Sequence, residues 1–226
     1  MKIALCFSGQ SRAFEKGYEY YKRNLLDHYD VDVYFHTWKT EDNQQYIDLY
    51  KPVKYKIEDT VDPDLSKYTR WPSKRPKISA YAMYYSMYEC SKLIEGEYDW
   101  VVRSRTDYAL NIKPDLENSD NTKLHIPDCY VAPLRDRGND QFAFGSPEVM
   151  TKHMSAFPNM DRYYDNGAVF NGEDIMQANL HEYNLHGDNL VYVDMKNPFP
   201  GGRYNGGSHS LIRDDFLRWN PGVTVW

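Results

Sequence analysis

Residues 2–12 read Lys-Ile-Ala-Leu-Cys-Phe-Ser-Gly-Gln-Ser-Arg, an apolar run from Ile3 to Phe7 that stops at Ser8, Gly9 and Gln10. A short apolar run closed by turn residues has the pattern of a buried strand ending in a loop. Working outward, Phe14, Tyr18, Tyr21 and Leu25 recur at helical spacing, Val31–His36 repeats the strand pattern, and Tyr55–Ile57 predicts a third strand. A helix with Ala80, Met83, Met87, Cys90 and Ile94 on one face is expected to start at the cap Ser79 and to end at Gly96. Asp99–Asp107 then begins as a strand and becomes charged at its far end. Strands alternating with helices predict an α/β fold with a largely parallel sheet.

The second half is less periodic. Short strands are expected near Lys123–Ile126, Cys129–Ala132, Gln141–Phe144 and Leu190–Val193. Ser146-Pro147-Glu148 is a helix start, with a cap and then proline at the first helical position, and a last helix is expected from Glu173 to Leu185. Between Glu58 and Lys77 the chain is irregular and broken by Pro63, Pro72 and Pro76. Its second part carries Lys67, Arg70, Lys74, Arg75 and Lys77 with no acid among them, which reads either as a solvated loop or as an anion-binding flap. No internal repeat or linker divides the chain. We expect a single domain over 1–226, with halves over about 1–110 and about 111–226.

Composition narrows the function. With 226 residues, 41% hydrophobic and 27% charged, the chain has the make-up of a globular protein. Its 27 basic and 33 acidic residues leave a net charge of -6, which argues against a protein whose main task is to grip nucleic acid. No apolar run approaches the roughly 18 residues of a membrane span, and the N-terminus lacks the pattern of a signal peptide. A cytoplasmic place is therefore expected. Cys6, Cys90 and Cys129 form neither a CxxC pair nor a zinc spacing and are expected to be reduced thiols. The 21 tyrosines suit sugar or base binding and equally suit half-buried packing.

Ligands of open α/β sheets sit beyond the carboxyl ends of the strands, which directs attention to the polar residues there. After the first strand, Gly9 permits close approach of a ligand, Gln10 can pair with a base edge or ribose, and Arg12 can meet a phosphate; an ordinary turn capped by Ser11 is the alternative. After the 99–107 strand, Arg103, Arg105 and Asp107 recur at a two-residue period. Such a trio suits a site for phosphate and a divalent cation, with Asp107 on the metal, or else an internal Arg105–Asp107 ion pair. Glu173-Asp174 at a helix start either complements the helix dipole or supplies a general base, and only one of the two can face a cleft. Asp140 and Gln141 can bond sugar hydroxyls or belong to an Asx turn, and His209 in a glycine-rich segment can reach a metal or stay exposed.

Three runs in order, "ALCFSGQSRAFEKGYEYYKRNLL…VDVYFHTW", "YDWVVRSRTDYAL" and "NDQFAFGSPEVM", resemble bacterial and viral glycosyltransferases of the lipopolysaccharide and capsule biosynthesis type over most of residues 1–155. The resemblance implies the GT-A fold, a Rossmann-like sandwich that binds a nucleotide-diphosphate sugar, often with Mn²⁺ or Mg²⁺. It implies a nucleotide-binding half over about 1–110, with Ser8, Gly9, Gln10 and Arg12 lining the pocket, and an acceptor-binding half over about 111–226. Arg105-Thr106-Asp107 stands where these enzymes carry Asp-X-Asp, so the first acid is an arginine here and Asp107 alone, or with His209, would hold the metal. Glu173-Asp174 is similar to the acid pair that supplies the base in inverting members, with Asp174 in the base position; a retaining reaction stays open. The implied function is sugar transfer from a nucleotide sugar to a hydroxyl of a glycan acceptor. The alternatives are a non-catalytic carbohydrate-binding module and a sugar nucleotidyltransferase. The latter usually has a lysine-bearing, glycine-rich phosphate loop, whereas Ser8–Arg12 has one glycine and no lysine. A glycoside hydrolase is disfavoured, since its two carboxylates must flank a bond rather than be adjacent in sequence.

Overall fold

A computed structural model describes residues 1–71, 76–127 and 139–193. Seven strands among them form one mixed sheet: β1 (Lys2–Ser8), β2 (Asp30–Trp38), β3 (Lys54–Glu58), β4 (Trp100–Ser104), β5 (Leu124–Pro127), β6 (Ala143–Gly145) and β7 (Leu190–Val193). Their spatial order is β3-β2-β1-β4-β6-β5-β7. The β3-β2-β1-β4 half is parallel throughout, as expected, and β5 pairs in parallel with β7, whereas β6 runs antiparallel to both neighbours. The helices are α1 (Phe14–Tyr21), α2 (Asn43–Tyr50), α3 (Lys77–Ser91), α4 (Pro147–His153), α5 (Ala156–Asp165) and α6 (Gly172–Glu182).

The period-two alternation of β1 sends side chains into two cores. Ala4 and Cys6 pack with Tyr84, Met87 and Cys90 of α3 and with apolar residues of α4, α5 and α6. Ile3, Leu5 and Phe7 pack on the other face, with Phe14 and Tyr21 of α1 and Tyr46 and Tyr50 of α2. The result is a three-layer Rossmann-like sandwich whose central strand is buried on both sides, which is why it reads as a continuous apolar run. Many tyrosines are structural: Tyr21, Tyr46, Tyr84 and Tyr108 are among the largest fully buried side chains. Cys6 and Cys90 are buried free thiols, and Cys129 lies outside the described residues.

Several local expectations shift. The α1 cap position is Ala13, in a left-handed conformation without a side-chain cap, rather than Ser11. α3 begins two residues before Ser79, after Pro76, and α1 continues into a π-helical turn over Lys22–Leu26. Ser146 caps α4 through its side chain, as its sequence predicts. The helices α2 and α5 are found only in the structure. Residues 59–71 hold no helix or strand but are anchored. Tyr68 stacks on Phe170 with ring centroids 3.7 Å apart, Lys67 pairs with Asp161 at 2.9 Å, and Arg70 donates to the Tyr164 and Ala168 carbonyls. Lys77 donates to the Leu65 carbonyl at 3.4 Å, so three of the five cations of that run bond to the protein itself. Among the described residues, no helix is long and apolar enough to cross a membrane.

Candidate functional site

The strand order reverses direction at β1: the chain moves outward to β2 and β3, then crosses back through α3 to place β4 on β1's other side. At such a switch point the loops after the two central strands diverge and leave a crevice. A cavity of about 590 Å³ lies here. It is lined by Ser8, Gly9, Gln10 and Arg12 after β1, Trp38 at the end of β2, and Arg103 and Arg105 at the end of β4. The first turn of α3, Trp71, Asp140 and the start of α6 with Glu173 complete it. Among the described residues no tyrosine lines the cleft; its aromatic walls are Trp38 and Trp71.

The floor follows from sheet register. Cys6 pairs with Arg103, so Ser8, two residues on, projects from the same face as Arg103. Arg103 Nε donates to Ser8 Oγ at 3.0 Å and Nη1 donates to the Asp140 carbonyl. Both acceptors are neutral, the residue is 1% exposed, and no carboxylate among the described residues forms an ion pair with it. Burial pulls its guanidinium down to about 10, against the pull of the nearby Asp140 charge. A buried cation that forms no ion pair is costly, and an anionic ligand would relieve that cost.

The turn above is built by a hydrogen-bond chain that the sequence does not announce. Gly9 has φ +107°, a left-handed conformation suited to glycine, and its N–H donates to Ser86 Oγ at 2.7 Å. Ser86 meets His36 Nδ1 at 2.8 Å, and His36 Nε2 meets Glu58 Oε1 at 2.8 Å. Burial holds the His36 imidazole below its usual range in spite of Glu58. Burial would raise Glu58, yet hydrogen bonds from Lys56, His36 and Tyr85 hold it down at about 2. The remaining link is Thr106, whose Oγ1 donates to the carbonyls of Gln10 at 3.2 Å and Arg12 at 3.0 Å, tying the two loops together. His36 and Ser86 are polar residues inside an apolar strand and an apolar helix face, whereas Glu58 and Thr106 stand among charged neighbours. That placement is a sequence signal for the first two and none for the others.

Eight of the expected site residues therefore meet in one cleft: Ser8, Gly9, Gln10, Arg12, Arg103, Arg105, Asp140 and Glu173. Four do not. Gln141 is absent from the lining, and its N–H closes an Asx turn on Asn139 Oδ1 at 2.8 Å. Asp174 faces a separate groove, and its N–H donates to the α6 cap Asn171 Oδ1 at 2.6 Å, because neighbours on a helix point about 100° apart. Glu173, not Asp174, takes the cleft position. His209 lies outside the described residues.

Asp107 is the largest departure. The two-residue period stops with β4 at Ser104, and the chain turns, with the Tyr108 N–H donating to the Arg105 carbonyl at 3.2 Å. Asp107 is 1% exposed and lies off the cleft lining, with both carboxylate oxygens taken by Arg105 through Nε and Nη2 at 2.8 Å each. A carboxylate buried and engaged in this way does not fit a divalent-cation ligand, which needs free oxygen lone pairs open to the ion. Among the described residues, no group of three or more His, Cys, Asp or Glu side chains could hold a metal ion. No family model matches the chain, and no curated protein matches it.

Proposed function

We propose that the β1/β4 cleft is the donor site of a GT-A-like glycosyltransferase, which moves a sugar from a nucleoside-diphosphate sugar to a hydroxyl of a glycan acceptor. The observation that carries the reading is the meeting of those eight residues in one cleft at the switch point of an open α/β sheet. The three quoted runs of resemblance support the same chemistry and a cytoplasmic role in polysaccharide biosynthesis. The starts of α3 and α6 both border the cleft, and helix N-termini favour phosphate. Trp38 and Trp71 offer apolar faces to a base or sugar ring, and Gln10 an amide to its edge.

The step needs a base for the acceptor hydroxyl and a stabilised leaving group. Glu173 takes the proton as the acceptor oxygen bonds to the anomeric carbon. The bond from that carbon to the diphosphate oxygen breaks, and the leaving nucleoside diphosphate keeps the electron pair. A single displacement of this kind inverts the anomeric centre. Asp140 accepts hydrogen bonds from sugar hydroxyls.

The experiment is thermal unfolding with nucleoside diphosphates and their sugars. Ligand at a hundred times its dissociation constant stabilises by about 2.7 kcal/mol, or roughly 5–10 °C for a chain of this length. A rise with one base identifies the donor. No rise with any of them at millimolar concentration overturns the reading.

A further inference from the structure

We infer that the charge of the donor's diphosphate is met by Arg103 and Arg105 in place of a divalent cation, with Asp107 serving as the anchor of Arg105. The inference rests on the donor-site reading above and concerns how that site handles charge.

The two arginines have different surroundings. Arg103 is fully buried at the cleft floor, spends Nε and Nη1 on the neutral oxygens of Ser8 and Asp140, and forms no ion pair among the described residues, with the Asp140 charge nearby. Arg105 lies half-buried at the rim, and its Nε and Nη2 grip Asp107, which leaves Nη1 as the donor not used by that pair. The Asp107 pairing fixes a side chain that would otherwise lose several rotatable bonds of freedom on binding a ligand. Ser8 does the same for Arg103. Two guanidiniums held in place by Asp107, Ser8 and the Asp140 carbonyl are prepared to meet an anion with little reorganisation. A cation held at this strand end would need the Asp107 carboxylate open to the cleft, and the two carboxylates that do line the cleft, Asp140 and Glu173, belong to no group of three or more ligating side chains among the described residues. At this strand end the carboxylate is sealed and the arginines line the cleft.

The test measures binding of UDP, GDP, ADP and CDP to the intact chain by calorimetry, in EDTA and again in Mn²⁺. The expected result is that the nucleotide that binds does so in EDTA with an affinity within about twofold of that in Mn²⁺, and that inorganic pyrophosphate competes for it without metal. Arg103→Gln should weaken that binding by at least about tenfold, as for the loss of one charge-assisted contact. Arg105→Gln provides a second variant at the rim, with the same expected direction, should the buried substitution fail to fold. Binding that requires Mn²⁺ overturns the inference and leaves the donor site standing. Metal-free binding that is unchanged in a folded Arg103→Gln or Arg105→Gln variant also overturns it. No nucleotide binding under either condition overturns the donor site and the inference together.

Discussion

Gly17→Ala is a one-methyl perturbation whose consequence reaches the cleft. A Cβ built on Gly17 would stand 1.9 Å from the Thr106 carbonyl oxygen, where ordinary contact begins at 3.4 Å. The obstacle is backbone, so no side chain can rotate away, and α1 and the 105–108 turn must separate by about 1.5 Å. Overpacking of this kind costs about 3 kcal/mol, while replacing a helical glycine by alanine returns about 1 kcal/mol. The net expectation is a loss of about 2 kcal/mol, or a midpoint lower by roughly 4–8 °C. Because Thr106 ties the Gln10 and Arg12 carbonyls to this turn, nucleotide affinity should fall as well. Urea denaturation at 25 °C beside the unsubstituted chain measures the first effect and calorimetry the second. A variant as stable as the parent, or more stable, would show that helix propensity wins and that α1 does not rest on Thr106.

Other perturbations probe different links. His153 is buried with both ring nitrogens unpartnered among the described residues, and burial, with Arg103's charge adding to it, pulls it down to about 3. An unfolded histidine titrates near 6.5, so this contribution is whole above that pH and is lost as the pH falls toward 3, on the order of 5 kcal/mol in all. His153→Leu should therefore flatten the dependence of unfolding free energy on pH between 6 and 4 by about 1.4 kcal/mol per unit, and an unchanged slope rejects the assignment. Glu173→Gln should lower turnover by a factor of about 100 or more at unchanged donor affinity, whereas Asp174→Asn should cost less than about tenfold; the reverse order would return the base role to Asp174. Ser86→Ala leaves His36 Nδ1 without its 2.8 Å partner and removes one acceptor of the Gly9 N–H, which should cost about 1–3 kcal/mol in denaturant. A loss below about 0.5 kcal/mol would mean that the chain from Glu58 to Gly9 does not hold the turn.

Residue order alone determined the parallel half of the sheet, because β1 and β4 are buried on both faces and burial of that kind writes itself as uninterrupted apolar runs. It also marked the strand ends, since Gly9, Arg103 and Arg105 break those runs where polar residues need a reason. It could not give the antiparallel insertion of β6, a three-residue strand whose direction is set by its neighbours rather than by its own pattern. Nor could it sort Asp107 from Arg103. Both continue one two-residue period in the sequence, and the turn that begins after Ser104 seals the carboxylate while the guanidinium stays at the cleft. The choice between Glu173 and Asp174 was likewise left to tertiary structure, because neighbouring positions on one helix differ only in direction, and direction acquires meaning once α6 is packed. Sequence periodicity records which faces are buried. Which charges meet in the cleft depends on register and on where a strand stops, and those are decided by the packing of distant segments against one another.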